Sequence, residues 1–287
     1  MQRPGWFDES LFPFESKFME VDGSTVHYVD EGKGDVTFLM LHGNPTWSFL
    51  YRKLINGLAP DHRCVALDYP GFGLSTAAAG FDFKAASHYQ VVAEFVERLG
   101  LEHVILVVQD WGGPIGFALA AEHPNLVTGV VLGNTWAWPL RGDRRLERFS
   151  AIMGGPVGRV MARTFNGVWR AFMRRGFRHR PAPNVMAMYA GPFRTGDRIQ
   201  TSIFTRELIK AVELQQQAEH GLESLRDRPA LLLWGTKDLA FKDTERHHFE
   251  EALPNHRTVL MDASHFWQED QPDVAVHEIR QWLRESV

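Results

Sequence analysis

Six short apolar runs, each closing on polar or glycine-rich turn residues, constrain this chain more than any other feature. They are TFLMLHG (37–43), RCVALDYPGFG (63–73), HVILVVQD (103–110), LVTGVVLGN (126–134), PALLLWGTKD (229–238) and HRTVLMDASH (256–265). Within the runs apolar residues follow one another rather than alternating, as in parallel strands covered by helices on both faces. Segments of helical spacing separate them, among them WSFLYRKLINGLAP and FKAASHYQVVAEFVERLG, the latter ending at Gly100, a C′ glycine. Ahead of them, KFMEV and STVHYVDEG flank Asp22-Gly23 and predict an antiparallel pair with a tight turn.

The alternation breaks once. From Thr135 to Gln217 the chain is rich in Arg, Phe, Met and Trp, with helical patches and no strand run. This predicts an α/β fold with a mainly parallel central sheet flanked by helices. Its core spans 1–134 and 218–287, and a helical cap is inserted over 135–217. The Arg-rich stretch RAFMRRGFRHRP reads as the solvated face of a helix rather than an anion site.

A chain of 287 residues, 44% hydrophobic, buries enough surface to need no disulfide or metal staple. Its net charge of −4 gives no electrostatic reason to expect nucleic acid or an anionic membrane as partner. Cys64, the single cysteine, lies in an apolar run and reads as a core residue. No stretch approaches the ~18 apolar residues of a membrane span. The N-terminal residues lack the cationic start and apolar run of a signal peptide, so a cytoplasmic location is expected.

Polar groups collect at four of the strand ends: His42-Gly43-Asn44-Pro45, Asp110-Trp111, Asp238 and His265. In open parallel sheets that edge is where ligands bind. Asp110 stands where a nucleophile sits in G-x-S-x-G elbows, with Gly112 and Gly113 downstream but Val108 in place of the upstream glycine. Alone, Asp110 fits a helix N-cap equally well, His265 a buried core histidine, and Asp238 a turn residue. Together, in the order nucleophile, acid, histidine, they match the hydrolase triad. A carboxylate is ionised at neutral pH and needs no base to attack carbon; the base is needed afterwards, to activate water against the resulting ester.

HGNPTWSFLYR, DYPGFGLS, QDWGGPIGFALA, GNTWAWP, LLLWGTKDLAF and SHFWQED together resemble the haloalkane dehalogenases of the α/β-hydrolase superfamily, over about residues 12 to 285. The resemblance implies that Asp110 is the nucleophile, His265 the water-activating base and Asp238 the acid orienting it. It implies that Asn44 and Trp111 stabilise the departing halide, and that their backbone N–H groups form an oxyanion hole. Other subfamilies place a Glu where this chain has Asn134, and some take a second halide-binding Trp from the cap, a position Trp169 could fill. The implied partners are a small apolar halogenated substrate, water and the halide product, without metal or organic cofactor. Monomer or weak homo-oligomer is expected, with neither nucleic acid nor membrane.

Two other readings remain at this level. The same triad could act on epoxides, activated esters or phosphotriesters; epoxide opening needs an acid, usually a cap tyrosine, and only Tyr189 lies in the insertion. Alternatively the fold could serve as a binding module without chemistry, which gives no reason to keep Asp110, Asp238, His265, Asn44 and Trp111 together.

Overall fold

The six apolar runs become the parallel strands of one sheet in a computed structural model that describes residues 3–194 and 198–286. The antiparallel pair is β1 (Lys17–Val21) and β2 (Ser24–Glu31). Asp22 and Gly23 between them have φ of 45° and 72°, the left-handed pair that a two-residue hairpin turn demands. The parallel strands are β3 (Thr37–Leu41), β4 (Arg63–Leu67), β5 (Val104–Asp110), β6 (Val127–Thr135), β7 (Ala230–Gly235) and β8 (His256–Met261). Their order is β1-β2-β4-β3-β5-β6-β7-β8, which makes β5 a central strand, buried along its whole length.

The crossover helices are α1 (Arg52–Leu58), α2 (Ala85–Leu99) and α3 (Gly112–Glu122). The first is shorter than its sequence pattern suggests, because Ser48–Tyr51 form a separate 3₁₀ turn. Gly100 closes α2 at φ 62°, its N–H reaching back to Val96 and Glu97 as a C′ glycine should. α3 is apolar on all sides and buried from Gly112 to Ala120, so it lies between the sheet and further structure instead of facing water.

After β6 come α4 (Arg144–Met153), α5 (Pro156–Phe165), α6 (Gly167–Arg175), α7 (Pro183–Ala190) and α8 (Ile199–Lys210), with α8 packed against α4, α5 and α6. α9 (Val212–Ser224) belongs with the sheet. It packs on α3 so closely that a Cβ at Gly221 would lie 1.7 Å from the Phe117 carbonyl oxygen. The boundary expected at residue 217 therefore falls inside a helix, because the polar composition of α9 hides a buried face running from Leu214 to Leu222. α10 (Asp243–Ala252), α11 (Trp267–Asp270) and α12 (Pro272–Ser286) complete the chain. Among the described residues no helix is long and apolar enough to cross a membrane.

Candidate active site

Asp110 is the last residue of β5 and adopts φ 50°, uncommon for a residue with a Cβ, so the chain turns abruptly from strand to helix. Close approach on both sides maintains the turn. A Cβ at Gly113 would lie 1.9 Å from Thr135 Oγ1, and one at Gly43 would lie 2.3 Å from Asp110 Oδ1. The Thr135 hydroxyl donates to the Asp110 carbonyl at 2.6 Å and ties the elbow to β6. The carboxylate faces the end of β3, where the Asn44 backbone N–H donates to Oδ1 at 2.7 Å. His42 holds that neighbouring turn: its Nδ1–H donates to the Gly43 carbonyl at 2.9 Å, and its Nε2 accepts from the Tyr69 N–H at 3.1 Å. Burial pushes the His42 pKa down to about 4, which keeps this two-ended ring neutral.

The loops after β7 and β8 bring the other two expected groups to the same place. His265 Nδ1–H donates to Asp238 Oδ2 at 2.8 Å, and Asp238 Oδ1 accepts the Ala240 N–H at 2.7 Å. On the other ring edge, His265 Nε2 stands 3.5 Å from Asp110 Oδ2. All three side chains are buried. Burial opposes charging His265, but the Asp238 charge and the Asp110 contact outweigh it and raise its pKa to about 10.

Asn134 plays a backbone part. Its Oδ1 accepts the Gly235 N–H at 2.8 Å and its Nδ2 donates to the Gly235 carbonyl at 3.0 Å, bridging the ends of β6 and β7. Only an amide both donates and accepts in this way.

Trp111 is buried, stacked on Phe204 of α8 at 4.7 Å and met edge-on by Trp136 at 4.9 Å; its indole N–H makes no hydrogen bond among the described residues. The Asn44 side chain is engaged with the helix above it. Its amide nitrogen donates to the Thr201 carbonyl at 3.0 Å and the Thr205 hydroxyl at 3.1 Å, while its Oδ1 has no partner among the described residues. A buried amide takes the acceptors within reach. Here α8 supplies them, carrying Thr201, Phe204 and Thr205 on one face at helical spacing.

Gln109 is a site residue that the sequence reading missed. Its amide nitrogen lies 2.7 Å from His265 Nε2 and 3.3 Å from the His265 carbonyl oxygen. The available signal was a polar side chain inside a strand buried throughout, which must find a polar partner. Trp169 packs beside Phe193, with 6.5 Å between ring centroids. Tyr189 is committed elsewhere: its hydroxyl donates to Glu269 Oε1 at 2.7 Å, within the buried Arg52–Glu269 ion pair.

A cavity of about 400 Å³ opens between α4, α6 and the Asp238–Ala240 loop and reaches His265 and Asp238. Leu146, Phe149, Met153, Phe172 and Leu239 make its walls largely apolar. The arrangement offers a carboxylate at a sharp turn, an imidazole between two acids, an indole N–H without a partner among the described residues, and an apolar approach.

Residues 36–272 match the family model described as alpha/beta hydrolase fold. Haloalkane dehalogenase 2 of Mycobacterium tuberculosis is 41% identical over 270 residues, covering 93% of this chain and 94% of that protein. The cis-3-alkyl-4-alkyloxetan-2-one decarboxylase of Xanthomonas campestris is 32% identical over 96% of this chain and 98% of that one. Among solved structures, the haloalkane dehalogenase DbeA of Bradyrhizobium elkani superposes with a TM-score of 0.86 at 26% identity, covering 95% of this chain and 98% of that one.

Proposed function

The chain belongs to the haloalkane dehalogenases of the alpha/beta hydrolase fold, and we propose that Asp110 is its nucleophile, His265 its base and Asp238 the acid that orients the base. In the first step the Asp110 carboxylate forms a bond to the halogen-bearing carbon, and the halide leaves with the bonding pair. Trp111 receives it, since an indole N–H with no hydrogen-bond partner among the described residues is a neutral donor suited to an anion. Asn44 contributes its side chain only by releasing Thr201 and Thr205. In the second step water attacks the ester carbonyl of Asp110 and His265 takes the water's proton. The Asn44 backbone N–H, already on Oδ1, stabilises the developing oxyanion. Alcohol, halide and one proton are the products.

The charge balance fits two steps. With Asp110 ionised, His265 is held protonated; alkylation neutralises Asp110, removes one of the two charges that raise its pKa and favours the basic form just when water must be activated. Gln109 fits the later state. Its amide N–H groups reach both a bare Nε2 and the His265 carbonyl, an orientation that suits the basic form of the ring after alkylation and would have to change for the protonated one. In this reading the cap comprises residues 136–211 and roofs the site through α8.

The observation that carries the proposal is the meeting of Asp110, His265 and Asp238 within hydrogen-bonding or charge-contact distance at the strand ends. The test is His265→Phe incubated with a bromoalkane and weighed intact. An alkyl adduct on Asp110 with at most one halide released per site supports it. Wild-type halide release that persists in Asp110→Ala refutes it.

The engaged Asn44 amide favours a second reading, in line with the oxetanone-decarboxylase relatives. An oxetan-2-one offers Asp110 a strained carbon–oxygen bond whose leaving group is its own tethered carboxylate, so no halide site is required. Loss of carbon dioxide then expels Asp110 as the alkene forms, without consuming water. Turnover of such a lactone by His265→Phe, with no turnover of bromoalkanes by wild type, would select this reading.

A further inference from the structure

Exposed apolar side chains gather on the outer face of the cap. Ile152, Val157, Val160 and Phe165 are 48%, 62%, 61% and 50% exposed, all within α4, α5 and the turn between them. α5 buries Gly158 and Ala162 on its inner side and turns Val157 and Val160 outward beside the exposed Arg159 and Arg163. The exposed Arg148 lies one helical turn before Ile152 in α4, and the insertion as a whole is basic. Residues 136–211 carry fifteen Lys and Arg against four Asp and Glu, a formal +11 in a chain whose total is −4. The patch adjoins the cavity: Ile152 both lines it and faces solvent, as does Leu239, which is 62% exposed, with Arg145 and Arg175 also at the lining.

We propose that this face docks on an anionic lipid surface, with Val157 and Val160 entering the acyl boundary and the arginines meeting headgroup phosphates. Apolar substrate then passes from the bilayer between Ile152 and Leu239 into the cavity. A helix with apolar residues set among arginines on its exposed side lies in a membrane interface by this combination of burial and charge. Nucleic acid would satisfy the arginines but leave the apolar side chains in water. The docking itself stands on exposure and charge; the route of entry rests on the apolar-substrate reading above.

The test is cosedimentation of the whole protein with vesicles of mixed phosphatidylglycerol and phosphatidylcholine, against phosphatidylcholine alone. Binding to the anionic vesicles about tenfold stronger than to the neutral ones is expected, falling with salt. Val157→Asp with Val160→Asp abolishes it, and Arg148→Gln with Arg159→Gln weakens it. Both pairs keep wild-type far-ultraviolet circular dichroism and wild-type turnover in vesicle-free buffer, a readout that also separates failure of docking from failure of the proposed chemistry. No cosedimentation, or equal binding by the double-Asp variant, overturns the proposal. So does self-association without lipid that the same variant abolishes, which would assign the face to a second copy, or full displacement by duplex DNA with the valine variants unaffected.

Discussion

His265 Nε2 lies 3.5 Å from Asp110 Oδ2, a charge contact whose strength depends on Asp110 remaining ionised. Asp110→Asn keeps the shape and removes the charge. The ionisation midpoint of His265, followed by NMR of the ring, is expected to fall from about 10 by one unit or more. Because the folded value lies above the ordinary 6.5, the protonated ring's contribution to stability is complete below that pH and is lost as pH rises toward 10. Wild type should therefore lose more of its thermal midpoint than Asp110→Asn between pH 6.5 and 10.

Asp238 acts through the ring it holds, so Asp238→Asn should spare the first halide burst and slow steady turnover. A loss of about 10³-fold or more is expected when an amide favours the wrong tautomer. Rapid-quench halide release against steady-state turnover separates the two steps.

Gln109→Ala removes one hydrogen bond from the same ring. A fall of about tenfold in kcat is expected, the worth of a typical net hydrogen bond, with a displaced pH profile and little change in alkylation rate. A mutant altered only in stability would leave the profile where it is.

The clasp between Asn44 and α8 and the indole of Trp111 predict opposite effects. Thr205→Val frees one amide hydrogen and should raise halide affinity, read as quenching of tryptophan fluorescence. Trp111→Phe removes the free indole donor and should cost about 10²-fold in kcat, the scale for one donor to a developing anion.

Asn134→Asp tests the bridge to Gly235. The acid cannot donate to the Gly235 carbonyl and buries a charge where the native side chain is fully enclosed. A loss of about 3 kcal/mol or more is expected in urea unfolding.

The parallel sheet was legible because most of its strands carried a short apolar run ending in turn residues, and Asp110, Asp238 and His265 because each closed such a run. Asn44 was legible as a position but not as a state: its amide partners, Thr201 and Thr205, lie 157 and 161 residues away in a helix whose packing has no local signature. Gln109 was hidden beside a more conspicuous acid. The end expected for the insertion, residue 217, lies inside α9, a helix polar in composition yet packed on α3. The asymmetry of charge disappeared in the sum, where an acidic core cancels a basic cap.

The glycines at the elbow have a bearing on how new specificities arise. Neither Gly43 nor Gly113 admits even a methyl group without displacing Asp110 or Thr135. The floor of the site is therefore closed to incremental variation, and descendants of this chain must diversify from the roof. A directed-evolution library gains more from α4, α6 and α8 than from Gly43 and Gly113, where any side chain collides with the elbow.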